Sequence, residues 1–214
     1  MSLVAPLFAV ALLAGVATGV RADHDTPGPP PSGAPHAPAP AKGGPPDGRA
    51  LTFLYGDDHV FAIIPPAGWV VDDTSGLGAR IRTVLYPRGQ KFATARAFMY
   101  VNPIHLDQRA PRTLEQVIDG DVAGFVKHYP KGKVTSAPPT MTDKGRPAEV
   151  RLFAKDGGSP DEAVSYVMEK GLVMLLVLGS RDTKSFERAL PAYRELVKGY
   201  TFVAADVKTP THSR

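Results

Sequence analysis

Six histidines stand at positions 24, 36, 59, 105, 128 and 212, and the chain has no cysteine. Without cysteine there is no disulfide scaffold, thiolate metal site, cysteine nucleophile or lipid-modified cysteine anchor. No two histidines have a spacing that makes a metal site from sequence. The nearest approach to one is Asp57-Asp58-His59, where a pair of acids precedes an imidazole and would ligate a metal at a turn; the competing reading is an ordinary polar turn. The other acid pairs, Asp72-Asp73 and Asp161-Glu162, fall in segments that read as loops, where carboxylates are common. A serine nucleophile needs a base and a strained presentation such as Gly-x-Ser-x-Gly, and no such string occurs. There is no Walker loop or dinucleotide fingerprint, and Gly76-x-Gly78 ahead of Arg80 and Arg82 is only a weak anion-binding signal. These residues assign no catalytic set and imply no cofactor.

Charge is the more informative signal. Residues 80–112 carry seven basic side chains, Arg80, Arg82, Arg88, Lys91, Arg96, Arg109 and Arg112, against the single acid Asp107. Residues 127–146 add Lys127, Lys131, Lys133, Lys144 and Arg146 against Asp143. Folded together, these stretches would give one side of the domain a positive field that steers anionic partners; dispersed, they are a solvated surface. Trp69 follows Pro65-Pro66-Ala67-Gly68. Its ring is expected either to plug the sheet or to stack on a ligand in a cleft beside it.

These residues must be delivered and positioned. From Leu3 to Val20 the chain is uncharged and rich in Ala, Leu and Val. Val20 and Ala22 fit the small-residue rule for secretory cleavage, so residues 1–22 read as a signal peptide with a mature start near Asp23. An uncleaved anchor is the alternative, since eighteen helical residues span roughly 27 Å. Either way the domain is exported, to a periplasmic or secreted location. Nine of the 22 prolines lie between Pro27 and Pro46, and residues 23–50 read as an extended, disordered Pro/Gly-rich linker.

From Leu51 to Ala204 the composition becomes globular, and residues 205–214 read as a flexible tail. Residues 51–55 and 59–64 flank Gly56-Asp57-Asp58 as a hairpin. Trp69-Val70-Val71 is extended, residues 72–78 form a loop, and residues 83–87 and 93–103 form strands. In the second of these, Ala93, Ala95, Ala97, Met99 and Val101 share one face, opposite Thr94, Arg96, Phe98 and Tyr100. Thr113 and Gln116 make a capping-box signature for a helix through His128 with an apolar stripe at Leu114, Val117, Ile118, Val122 and Phe125. Weaker strands follow near Val134 and over 148–155. Residues 163–169 and 172–179 are joined by a Lys170-Gly171 turn, and the seven apolar residues 172–178 imply a central strand covered on both faces. A last helix starts near Asp182 or Thr183, with Pro191 either kinking it or starting a second one, and Tyr200-Thr201-Phe202-Val203 closes the domain as a strand. The fold class is α+β: a largely antiparallel sheet with helices on both faces, an α/β/α sandwich.

The opening hairpin running into Pro65-Pro66-Ala67-Gly68-Trp69, the capped helix, the Tyr166-bearing hairpin and the closing 186–202 stretch FERALPAYRELVKGYTF together resemble the PsbP-like superfamily. The resemblance covers most of 51–204. It implies the α/β/α sandwich and a habit of acting as an accessory or interaction module, and it carries over no catalytic residue. The functional expectation is an exported, non-enzymatic accessory domain of the cell envelope. Its partner is unknown; the charge suits an envelope protein or an anionic envelope polymer. Nucleic acid is excluded by export, and a membrane is involved only if the leader is uncleaved. Two alternatives stay open: a periplasmic small-ligand or metal-binding protein using a cleft near Trp69, and a hydrolase built around His59, His105 or His128.

Overall fold

The computed structural model describes residues 50–56, 58–79, 81–107, 111, 113–205 and 207. The segments read from sequence as signal peptide, linker and tail lie outside the described residues, wholly for the first and for the most part for the other two. So do Asp57, Arg80, Arg109 and Arg112.

The opening hairpin forms from β1 (Thr52–Tyr55) and β2 (His59–Ile63), with Tyr55 opposite Val60. β3 (Trp69–Asp72) and β4 (Val84–Pro87) pair antiparallel, with Trp69 opposite Pro87. The long strand β5 runs Ala97–His105 rather than 93–103. Its start is delayed because the chain turns first: the Thr94 and Ala95 amides donate to the Lys91 carbonyl at 3.0 and 2.8 Å. From Ala97 onward the two faces are as the alternation requires. Ala97, Met99 and Val101 join one core, and Phe98 and Tyr100 the other.

The helix α1 (Leu114–His128) is capped by Thr113, whose hydroxyl accepts from the Gln116 amide at 3.2 Å. The chain then crosses to the far edge of the sheet as β6 (Lys133–Met141) and returns as β7 (Pro147–Ala154). β6 is longer than its weak pattern suggests. Pro138 and Pro139 sit within it where the register shifts between Ala137 and Thr140, and an edge strand tolerates their missing donors. β8 (Glu162–Glu169) and β9 (Leu172–Ser180) make the expected hairpin around Lys170 and Gly171, the latter at φ 78°.

The last helix, α2 (Thr183–Lys198), is continuous through Pro191. No second helix starts there. Phe186, Ala189, Tyr193, Leu196 and Val197 are all buried along one stripe, which offsets a proline penalty of about 3 kcal/mol on the exposed side. Asp182 caps its start by accepting from the Ser185 amide at 2.8 Å. β10 (Thr201–Ala205) ends the described chain apart from Val207.

The strands divide into two antiparallel sheets, β1-β2-β10 and β3-β4-β5-β9-β8-β7-β6. All nine residues of β9 are buried at the middle of the larger sheet. Met174, Leu176 and Leu178 meet α2 together with Phe61 and Ile63 of the small sheet; Val173, Leu175 and Val177 meet the core that holds Val117, Ile118 and Phe125 of α1. The expected antiparallel sheet with a helix on each face is therefore present. The small sheet shares the α2 side and was not separately legible. Among the described residues no helix is long and apolar enough to cross a membrane.

Candidate functional site

Two concavities open at opposite ends of β5, one beside Ala97 and one beside His105. Eight residue steps at about 3.3 Å separate these ends by roughly 26 Å.

The larger concavity is a cleft of about 670 Å³ lined by Trp69, Pro87, Gly89, Lys91, Arg96 and Arg188 among others. Three pieces of chain build it. β3 and the β4 end supply Trp69 and Pro87, which stand opposite one another in the sheet. Trp69 is half-buried against the α2-side core, so it is both a plug and a wall. The turn between β4 and β5 supplies Lys91, Thr94 and Arg96. Arg181 fixes this turn: its Nε donates to the Ala95 carbonyl at 3.1 Å, its Nη2 donates to the Ala93 carbonyl, and its amide donates to the Arg96 carbonyl at 2.8 Å. The first turns of α2 supply Ser185, Arg188 and Ala189.

The electrostatics of the cleft are positive. Lys91, Arg96 and Arg188 line it, and among the described residues no carboxylate does. Arg96 pairs with Asp182 at 3.2 Å, a solvent-exposed pair that is worth little energy and does not cancel the charge of the cleft. The Asp182 carboxylate, held below its ordinary range by its hydrogen bonds from Ser185 and by Arg96, is committed to capping α2.

The basic run of 80–112 thus does not form one patch among the described residues. Lys91 and Arg96 face the Trp69 cleft, Arg88 is exposed on the same turn with its amide donating to the Gly68 carbonyl at 2.7 Å, and Arg82 lines the other concavity. Arg188 was missed in the sequence. The signal was available in principle, since Ser185, Arg188 and Ala189 share a helix face at three- and four-residue spacing. Nothing local says that this face meets the turn after β4.

Gly76-Leu77-Gly78 follows directly on the loop that opens at Asp72. The loop wraps a carboxylate of its own: Asp72 accepts from the Thr74 and Ser75 amides at 2.9 Å each, from the Ser75 hydroxyl at 2.6 Å and from Tyr86 at 2.7 Å. These donors hold the Asp72 carboxyl far below the usual range.

The smaller concavity, about 120 Å³, is lined by Tyr55, Gly56, His59, Arg82, Asn102 and His105 among others. Asp58 stands at its rim, with Oδ1 at 2.9 Å from His59 Nδ1 and 3.7 Å from His105 Nε2. His128 does not join them; it ends α1 with its ring against Tyr129.

No family model matches the chain, and no curated protein matches it. Among solved structures it is similar to the solution structure of cyanobacterial PsbP (CyanoP) from Synechocystis sp. PCC 6803. The identity is 10% and the TM-score 0.47, over 72% of this chain and 94% of that one. That structure is of the family the sequence resembles. The likeness concerns the fold, and no residue role passes from it to this chain.

Proposed function

We propose that this chain is a non-enzymatic accessory domain of the cell envelope, exported by its N-terminal segment, that holds an anionic partner in the Trp69 cleft. One observation carries the reading: Lys91, Arg96 and Arg188, contributed by a turn and a helix distant in sequence, converge with Trp69 on one open concavity, where the one neighbouring carboxylate described, Asp182, is engaged by Arg96 and Ser185. An aromatic wall suits the apolar body of a ligand, and the cations suit its acidic groups. The turn bearing two of those cations is tied down by Arg181, so little order need be gained on binding. The partner is an acidic protein surface or an anionic envelope polymer.

The experiment is a binding assay of the purified protein on envelope polymers and acidic envelope proteins at two salt concentrations. The double reversal Lys91→Glu/Arg188→Glu is expected to weaken binding by about tenfold or more, and added salt to weaken the wild type. Arg82→Glu, on the other concavity, is expected to change it little. Binding indifferent to the double reversal, or turnover of a substrate by the pure protein, would overturn the proposal. N-terminal sequencing of the mature protein checks export, with a start at Asp23 expected.

A further inference from the structure

The second concavity gathers a different chemistry. The turn between β1 and β2 supplies Asp58, the start of β2 supplies His59 and the end of β5 supplies His105, so the three meet where the small sheet abuts the large one. One ligand-competent atom from each lies within 4.8 Å of the others. His59 is only 4% exposed, unlike Asp58 and His105, which are about half exposed.

The buried imidazole is held in place from several sides. Its ring stacks on Phe61 at 6.1 Å between centroids and meets the His105 ring edge-on at 5.8 Å. Gly56 packs flat against it: a β-carbon there would come within 2.1 Å of the His59 ring. The backbone is pinned as well, since the Gly56 amide donates to the His59 carbonyl at 2.8 Å and the Val207 amide to the Asp58 carbonyl at 2.9 Å. One ligand is therefore preset, and the other two can swing onto an ion at little cost because their side chains stand in solvent.

We propose that Asp58, His59 and His105 form a binding site for a divalent transition-metal ion of the zinc, nickel or copper class. Two imidazoles and one carboxylate select these ions over magnesium and calcium, which prefer oxygen-only shells. Bonds of about 2.0–2.2 Å require the three ligand atoms to close to somewhat over 3 Å from one another. Asp58 Oδ1 and His59 Nδ1 share a hydrogen bond at 2.9 Å; an ion replaces that proton, which is released to solvent, and parts the two atoms slightly, while a rotation of exposed His105 brings in the third ligand. A volume of 120 Å³ leaves room for the ion and a few waters. The site is independent of the Trp69 cleft and stands or falls separately from it.

The test is titration of the full chain with zinc alone, with magnesium as comparison, read by calorimetry and by the NMR signals of the histidine rings. One zinc per chain is expected, with magnesium silent and the His59 and His105 rings shifting together. His105→Ala and Asp58→Asn, both at exposed positions, are expected to weaken binding by about tenfold or more, and His128→Ala to leave it unchanged. His24, His36 and His212 lie outside the described residues, so a variant lacking those three is expected to retain the site. Absence of zinc binding at micromolar concentration, binding unaffected by His105→Ala and Asp58→Asn, or loss of binding only when the three outer histidines are replaced would overturn the proposal.

Discussion

Tyr193 shows how a single side chain joins the layers. It rises from α2 into the sheet, where its hydroxyl exchanges a hydrogen bond with the Ser165 hydroxyl at 2.7 Å and donates to the Leu176 carbonyl at 2.8 Å. All of this lies in the α2-side core, away from water, so burial raises the phenol well above its ordinary range. Tyr193→Phe keeps the ring but strands a buried hydroxyl and a carbonyl lone pair. A loss of about 1–3 kcal/mol is expected in urea unfolding, with the slope of the transition unchanged. A stability equal to wild type would mean that Ser165 finds another partner in the core. Asp121 plays a comparable part on the opposite face, where it accepts from the Tyr166 hydroxyl at 2.8 Å.

At the scale of elements, α1 is the weakly determined piece. Its stripe of Val117, Ile118 and Phe125 is buried, yet Gly120 and Gly124 lie in its middle, where each costs about 1 kcal/mol relative to alanine. Docking on the sheet, rather than helix propensity, keeps it formed. Gly120 is exposed, and a β-carbon there meets nothing within 4 Å. Gly120→Ala is therefore expected to stabilise the protein by about 0.5–1 kcal/mol, seen as a melting temperature a few degrees higher. A lower melting temperature would contradict this account of Gly120. The contrast with Gly132 is instructive: its β-carbon would meet the Phe125 ring at 2.6 Å, so that position requires glycine for space. The hairpin β8–β9, the Thr113 cap and the start of α2 near Asp182 were legible because each is a local matter of period and turn chemistry. Alternation, a Lys-Gly turn and a Thr or Asp at the cap need no distant partner. Pro191 was harder to read, because propensity argues for a break there while the packing of five neighbours keeps the helix whole.

The whole molecule carries a pH dependence that follows from its half-buried and buried acids. Burial raises Asp121 from its ordinary 3.8 to about 6, with the Tyr166 hydrogen bond opposing. It raises Glu162 from 4.5 to about 8, opposed by Lys155 and reinforced by Asp121 and Asp161. Glu169 is raised in the same direction by burial, against Arg146 at 3.6 Å. A carboxyl that holds its proton more tightly when folded favours the folded state in acid. That contribution is complete below the unfolded value near 4 and is lost as pH rises through the folded value. Asp72 and Asp182 are depressed and act oppositely: their contribution is present above the unfolded value and is lost as pH falls through the folded one. Stability is therefore expected to decline between about pH 4 and pH 8, and Glu162→Gln to flatten the upper part of that decline. Urea midpoints measured across this range check it; a Glu162→Gln profile parallel to wild type would contradict the assignment.

The chain alone determined the approximate place of most strands, the Thr113 cap, the central position of residues 172–178 and the presence of a helix on either face. Those properties are written in residue-to-residue periodicity and in turn types. Tertiary structure alone decided the rest. It split the ten strands of the described residues into two sheets, parted Arg82 from Lys91 and Arg96, brought Arg188 to Trp69, and set His105 beside Asp58 and His59. Each of these depends on pairing and register between segments far apart in the sequence. Such contacts are selected by how whole faces bury together, and no short window of residues carries that information.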